Sequence, residues 1–119
     1  MIIFVFDLSN YQSLKDLGQY FQNVYTINKK THYLVVGNKF DLYQQLPEQE
    51  QEKITADAIK FSEDIGSDGL IYISSRSDNS VNKVFNLAVG SILGFTLKKI
   101  PRRHQNFWFV HNCKINISE

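Results

Sequence analysis

The sequence predicts an α/β domain built on a parallel sheet, and three observations carry that prediction. Short apolar runs recur at residues 2–6, 33–36 and 70–73, without the polar alternation of a half-exposed strand, as in strands covered on both faces. Between them lie stretches whose apolar residues repeat at helical spacing. Each apolar run stops abruptly in polar residues, as strands do where their carboxyl ends open into a ligand site.

The first run, Ile-Ile-Phe-Val-Phe at 2–6, leads into a turn over 7–10 and then Ser13-Leu-Lys-Asp16. That tetrapeptide is close to a capping box, with Asp where Glu or Gln is preferred. Leu14, Leu17, Phe21 and Val24 follow as one stripe on a helix of roughly a dozen residues, weakened slightly by Gly18. Residues 28–31 close the connection to the strand at 33–36. After Asp41, a loop over 43–47 ends at Pro47, a residue suited to a helix start. Glu48, Glu50 and Glu52 crowd the positive end of that helix, where carboxylates are favoured. Its buried face is Ile54, Ala58, Phe61 and Ile65, and Gly66 suits the left-handed residue after a helix end. The third strand, 70–73, ends at Ser74-Ser75-Arg76. A last helix over 80–93 is expected to turn Val81, Phe85, Ala88 and Ile92 inward and to close at Gly94. The order β-α-β-α-β-α with short loops implies right-handed crossovers and a three-stranded parallel sheet, its carboxyl ends on one side. Asp7, residues 38–41 and residues 74–76 all fall at those ends.

Composition narrows the functional classes. The 119 residues, 43% hydrophobic, make one soluble domain or a large piece of one. A formal charge of +1 gives no bulk attraction to nucleic acid. The charge is uneven: residues 1–97 hold eight Lys/Arg against eleven Asp/Glu, whereas 98–119 hold five against one. The chain is therefore divided into a domain over 1–97 and a basic, aromatic tail over 98–119 of unassigned role. Cys113 is the single cysteine, which excludes an internal disulfide framework and a multi-cysteine metal site. His32, His104 and His111 lack ligand spacing. The start lacks the basic residues of a signal peptide and meets Asp7 too early. The apolar stretch 84–97 is too short to span a bilayer. A cytoplasmic protein without a transmembrane segment is expected.

The chemistry concentrates in Gly37-Asn38-Lys39-Phe40-Asp41. Asp41 offers two oxygens able to accept both the ring N–H and the exocyclic amine of guanine, a charge-assisted bidentate pair. Adenine presents an acceptor there and no neighbouring amine, so it would leave the carboxylate unpaired. Asn38 can donate its amide to the other edge of the base. Lys39 can lay its stem along the ring and keep its ammonium in water. Taken alone, Asn-Lys-x-Asp arises often by chance.

Set after Val-Val-Gly at a strand end, and followed across a helix and a strand by Ser74-Ser75-Arg76, it resembles the guanine loops of the Ras-superfamily small GTPases. Further stretches are similar to the fungal septum-promoting branch: Ile3-Phe-Val-Phe-Asp-Leu-Ser9, Gln51-Glu-Lys-Ile-Thr55, Val81-Asn-Lys-Val-Phe85 and Phe95-Thr-Leu97. The resemblance covers residues 2–101 and implies a three-layer G domain of the P-loop NTPase type. It implies that Ser75 supplies a backbone N–H to the guanine oxygen, that Ser74 steadies the loop, and that Arg76 stands where the family has lysine, a change from ammonium to fork. GTP or GDP is the implied ligand, with Mg²⁺ expected for the complete domain. An effector kinase, a GTPase-activating protein or another protein partner is implied, as is a signalling role in septation and mitotic exit and a place at the spindle pole. Like that branch, the chain has no C-terminal prenylation box.

The phosphate-holding half of such a domain is not in these residues. None of the six glycines is followed by lysine, so there is no Gly-x4-Gly-Lys-[Ser/Thr] cradle. No Asp-x-x-Gly, switch threonine or water-orienting glutamine is identifiable, so the chain carries no ligand set for Mg²⁺ and no catalytic residue. It resembles the C-terminal, base-reading half, as from a shortened record, and hydrolysis by this chain alone is not expected. A guanine ring of about eleven heavy atoms at ~0.3 kcal/mol each gives roughly 3 kcal/mol, millimolar affinity at best. The strand at 2–6 is expected to present an apolar edge. An alternative is a non-catalytic interaction module that keeps half the fold to dock a protein partner at that edge; another is an α/β domain with a chance Asn-Lys-x-Asp. In the tail, residues 98–104 read as a contact to anionic lipid or an acidic partner, or as a solvated end. The aromatic run 106–111 reads as a packing strap or as translated non-coding sequence.

Overall fold

The computed structural model describes residues 1–27, 31–74, 82, 84–86, 89, 103–104 and 107–111, the last two segments by their backbone. β1 (Ile2–Asp7) leads into α1 (Tyr11–Ile27). β2 (Tyr33–Asn38), the single turn α2 (Phe40–Tyr43), α3 (Glu48–Asp64) and β3 (Leu70–Ile73) follow. Residues 82, 84–86 and 89 are helical, and β4 (Arg103–His104) and β5 (Phe107–His111) come last. The first three strands are parallel, in register from Ile2 opposite Tyr33 to Asp7 opposite Asn38, and from Val35 opposite Leu70 to Gly37 opposite Tyr72. This is the α/β layout that the apolar runs predict.

The sheet is wider than three strands. Its order is β1-β2-β3-β5-β4, with β5 antiparallel to β3 (Ile71 opposite Phe109, Ile73 opposite Phe107) and β4 antiparallel to β5. Phe107, Trp108, Phe109 and Val110 are strong strand formers, and the outer edge of β3 offers them a row of backbone partners. Residues 103–104 and 107–111 of the tail are thus strands of the same sheet. At the opposite end β1 is the terminal strand.

Three local expectations shift. α1 is capped by Asn10, not Ser13: the Asn10 Oδ1 accepts from the Gln12 N–H at 3.1 Å. The Ser13 hydroxyl is occupied elsewhere, accepting from the Asp7 N–H at 2.9 Å and within reach of the Asn10 and Asp7 carbonyls. The loop expected over 43–47 begins later, because residues 40–43 coil into α2 and bury Phe40 and Tyr43, whose rings stack at 5.7 Å. Pro47 stands at the N-cap of α3 rather than inside it. The other end matches expectation: Gly66 has φ 67° and its N–H donates to the Glu63 carbonyl at 3.0 Å.

The sheet divides the core in two. Phe4, Phe6, Val35, Leu70 and Tyr72 face α1 and α3, meeting Leu14, Leu17, Ile54 and Ala58. Leu34, Val36, Ile71 and Ile73 pack on the other face with Val84. Two sequence expectations fail on that second face. Val5 is about half exposed (54%), although Ile3 packs on the same cluster, so β1 is only partly covered on that side. Phe85, expected inward, is 58% exposed, while Val84 is buried. Val84 and Phe85 are adjacent apolar residues, so periodicity alone did not decide which of the two turns inward. Val81, Ala88, Ile92 and Gly94 lie outside the described residues.

Candidate functional site

The carboxyl ends of β1, β2 and β3 bring Asp7, Asn38 and Ser74 to one rim of the sheet. Lys39 follows β2, at the N-cap of α2, with φ 64°, ψ 43°, the one non-glycine residue of positive φ among those described. Left-handed backbone costs a residue with a Cβ about 1–2 kcal/mol, and here it swings the chain from β2 into α2. Phe40 anchors the turn inward. Its ring lies 6.2 Å from that of Tyr72, while Asp41, in the first turn of α2, stays half-buried at the rim.

Ser74 is buried, and its hydroxyl donates to Asp41 Oδ1 at 3.3 Å. Across β1, the Lys39 ammonium donates to Asp7 Oδ2 at 2.9 Å. Asp7 Oδ1 accepts from both the Ser9 N–H, at 2.8 Å, and the Ser9 hydroxyl, at 2.6 Å. Partial burial alone would raise the Asp7 carboxyl, but the Ser9 and Lys39 hydrogen bonds outweigh it and hold it below the usual carboxylate value. Leu8 N–H donates to the Asn38 carbonyl at 2.9 Å, so the end of β1 is stitched to the loop by backbone as well as by charge.

Beneath the rim runs a chain of hydroxyls. Tyr43 donates to the Gln51 carbonyl at 3.1 Å, and the Thr55 hydroxyl lies 2.7 Å from that of Tyr43 and 2.9 Å from that of Tyr72. Burial pushes the Tyr72 phenol far above its ordinary value, the Thr55 hydrogen bond offsetting part of the rise. Burial raises Tyr43 as well. This network ties α2 to α3 and β3, and so fixes the platform on which Asp41 stands.

Of the residues singled out from sequence, the structure brings Asn38, Lys39, Asp41 and Ser74 to this rim; Ser75 and Arg76 lie outside the described residues. Asp7 and the Tyr43–Thr55–Tyr72 chain were not selected. Asp7 had a signal, its place at a strand's carboxyl end, but its partner is 32 positions away. Two shallow depressions of about 460 and 260 Å³ flank α3, one lined by Tyr43, Gln51 and Thr55, the other by Tyr11, Leu46 and Lys53. Neither includes the rim residues. Among the described residues no three His, Cys, Asp or Glu side chains gather as a cation site. No helix among them is long and apolar enough to cross a membrane.

The model of the Ras family matches residues 1–94. Septum-promoting GTP-binding protein 1 of Schizosaccharomyces pombe is 27% identical over 97 residues, which are 82% of this chain and 48% of that protein. The chain thus spans about half the length of the curated relative it matches.

Proposed function

Because the chain belongs to the Ras family, we propose that it forms the base-reading part of a small GTPase, binding the guanine of GTP or GDP through Asn38, Lys39, Asp41, Ser74, Ser75 and Arg76. The single observation that supports this reading best is the meeting of Asp41 and Ser74 at the rim, from two segments 33 positions apart. A carboxylate steadied by a neighbouring hydroxyl keeps a second oxygen for the base. The wider role we propose is a GTP/GDP switch in cytokinesis and mitotic exit, read by an effector kinase and reset by a GTPase-activating protein, in the cytoplasm or at the spindle pole; the relative named above, a septum-promoting GTP-binding protein, supports the septation part of it. Phosphate and Mg²⁺ chemistry belongs, in this proposal, to a Gly-x4-Gly-Lys-[Ser/Thr] segment that these residues do not contain.

A second reading takes its support from the terminal position of β1 and the exposed Val5. There the chain is a non-catalytic module that accepts a partner's strand at that edge. One experiment separates the two. The chain is titrated with guanosine and adenosine 5′-monophosphates while its amide resonances are followed. The base-reading role predicts millimolar binding of the guanosine nucleotide, with shifts at 38–41 and 74, and a loss of preference in Asp41→Ala. Equal response to both nucleotides sinks it.

A further inference from the structure

We infer that Asp7 is a positioning residue for base selection, holding the Lys39 ammonium away from Asp41; the inference rests on the base-reading role proposed above. Asp41 is two residues beyond Lys39, and its carboxylate is the group that distinguishes guanine. An ammonium on a flexible four-carbon stem, left without an anchor, has that carboxylate as a ready partner. Pairing with it would occupy the oxygens that guanine's two donors need. Asp7 removes the competition by taking the ammonium at 2.9 Å on the β1 side of the loop.

The anchor is built for this. Asp7 Oδ1 is filled by the Ser9 N–H and hydroxyl, leaving Oδ2 for Lys39. The Asp7 backbone is fixed in turn, opposite Asn38 in the sheet and bonded through its N–H to the Ser13 hydroxyl. Lys39, with φ 64°, leaves the strand in the left-handed conformation. The pair is half open to water, Lys39 at 50% and Asp7 at 27% side-chain exposure, where ion pairs contribute little to stability. Its use is therefore orientation: with the head held, the stem stays in place as a wall for the ring.

The test uses the full chain, titrated with guanosine and adenosine 5′-monophosphates. Asp7→Ala should lose about two- to tenfold of the preference for the guanosine nucleotide over the adenosine nucleotide, the scale set by freeing one rotamer-rich side chain. Asp7→Glu, which can still reach the ammonium, should restore it. The decisive variant is Asp7→Ala combined with Lys39→Met, which keeps the stem and deletes the charge. It should recover preference relative to Asp7→Ala, a rescue that a merely loosened fold does not give. Should Asp7→Ala lower the melting midpoint, Asp7→Asn carries the comparison: it keeps an acceptor for Ser9 and turns its amide N–H donors on Lys39. Wild-type preference in both Asp7→Ala and Asp7→Asn, or a double variant no better than Asp7→Ala, overturns the role of Asp7 alone. A wild-type chain without preference, matched by Asp41→Ala, overturns the base-reading assignment and this inference with it.

Discussion

A Cβ placed on Gly37 would lie 2.8 Å from the Tyr72 ring and 2.9 Å from the Leu8 side chain. Tyr72 and Leu8 are both buried, so neither can swing aside. The glycine ahead of Asn38 is therefore a packing requirement of the sheet directly beneath the site. Gly37→Ala is expected to destabilise the chain by about 1–3 kcal/mol through overpacking. A urea denaturation midpoint that falls at constant slope is the check.

Tyr72→Phe should cost about 1 kcal/mol by removing one end of the hydroxyl chain through Thr55. It should also change the alkaline limb. The folded-state pKa of Tyr72 is raised above its unfolded value near 10, so its stabilising contribution is complete below that value and is lost as pH rises beyond it. The wild type should therefore lose stability above about pH 10 more steeply than Tyr72→Phe, as followed by thermal melts across that range.

Asp7 has the opposite sign. Its folded-state pKa is depressed from 3.8, so its contribution is present above that value and is lost as pH falls through the lower, folded one. Asp7→Asn should flatten the acid limb of a stability profile taken below about pH 4. Because the pair with Lys39 is half exposed, the difference at neutral pH should stay within about 1 kcal/mol.

Ser74→Ala removes the hydroxyl that meets Asp41 Oδ1. The carboxylate gains freedom, and affinity for the guanosine nucleotide should fall about two- to tenfold. Preference over the adenosine nucleotide should survive, since Asp41 itself is intact. Asp41→Ala, in contrast, should erase about ten- to a hundredfold of preference in a protein that carries the whole domain. Parallel titrations of the two variants separate positioning from recognition.

Removing residues 103–119 deletes β4 and β5 and leaves the outer edge of β3 unpaired. Amides in Leu70–Ile73 that face that edge should exchange with solvent faster. The truncated chain should also be more prone to associate through it. Hydrogen exchange and light scattering on the two forms decide the matter.

What was legible in the sequence was what is local. Residues 38–41 are contiguous, and their place at the carboxyl end of a strand could be read from the apolar run ahead of them. The stripe Leu14, Leu17, Phe21 and Val24 and the helix stop at Gly66 are likewise short-range patterns. The Asp7–Lys39 pair was not legible because it depends on the register that sets Asp7 opposite Asn38. Ser13 misled because its hydroxyl, a good cap by type, is drawn back to Asp7. The aromatic run at 107–111 announced a strand former but not its partner, since β3 presents an edge only once the parallel strands have assembled.

The parallel register also governs how quickly this chain can fold. Ile2 pairs with Tyr33, Val35 with Leu70 and Ile71 with Phe109, so each of these contacts closes a loop of some thirty or more residues. Among the described strands, only β4 and β5, with Arg103 opposite Trp108, meet over a short span. Chains dominated by such distant pairings cross their barrier slowly, because the entropy of closure is lost before the contacts are gained. The last strands can pair with each other early, yet their seat in the sheet is the outer edge of β3. Assembly of the rim that holds Asp7, Lys39 and Asp41 is therefore expected to fall in the slow phase of folding, which stopped-flow refolding of Asp7→Ala would test.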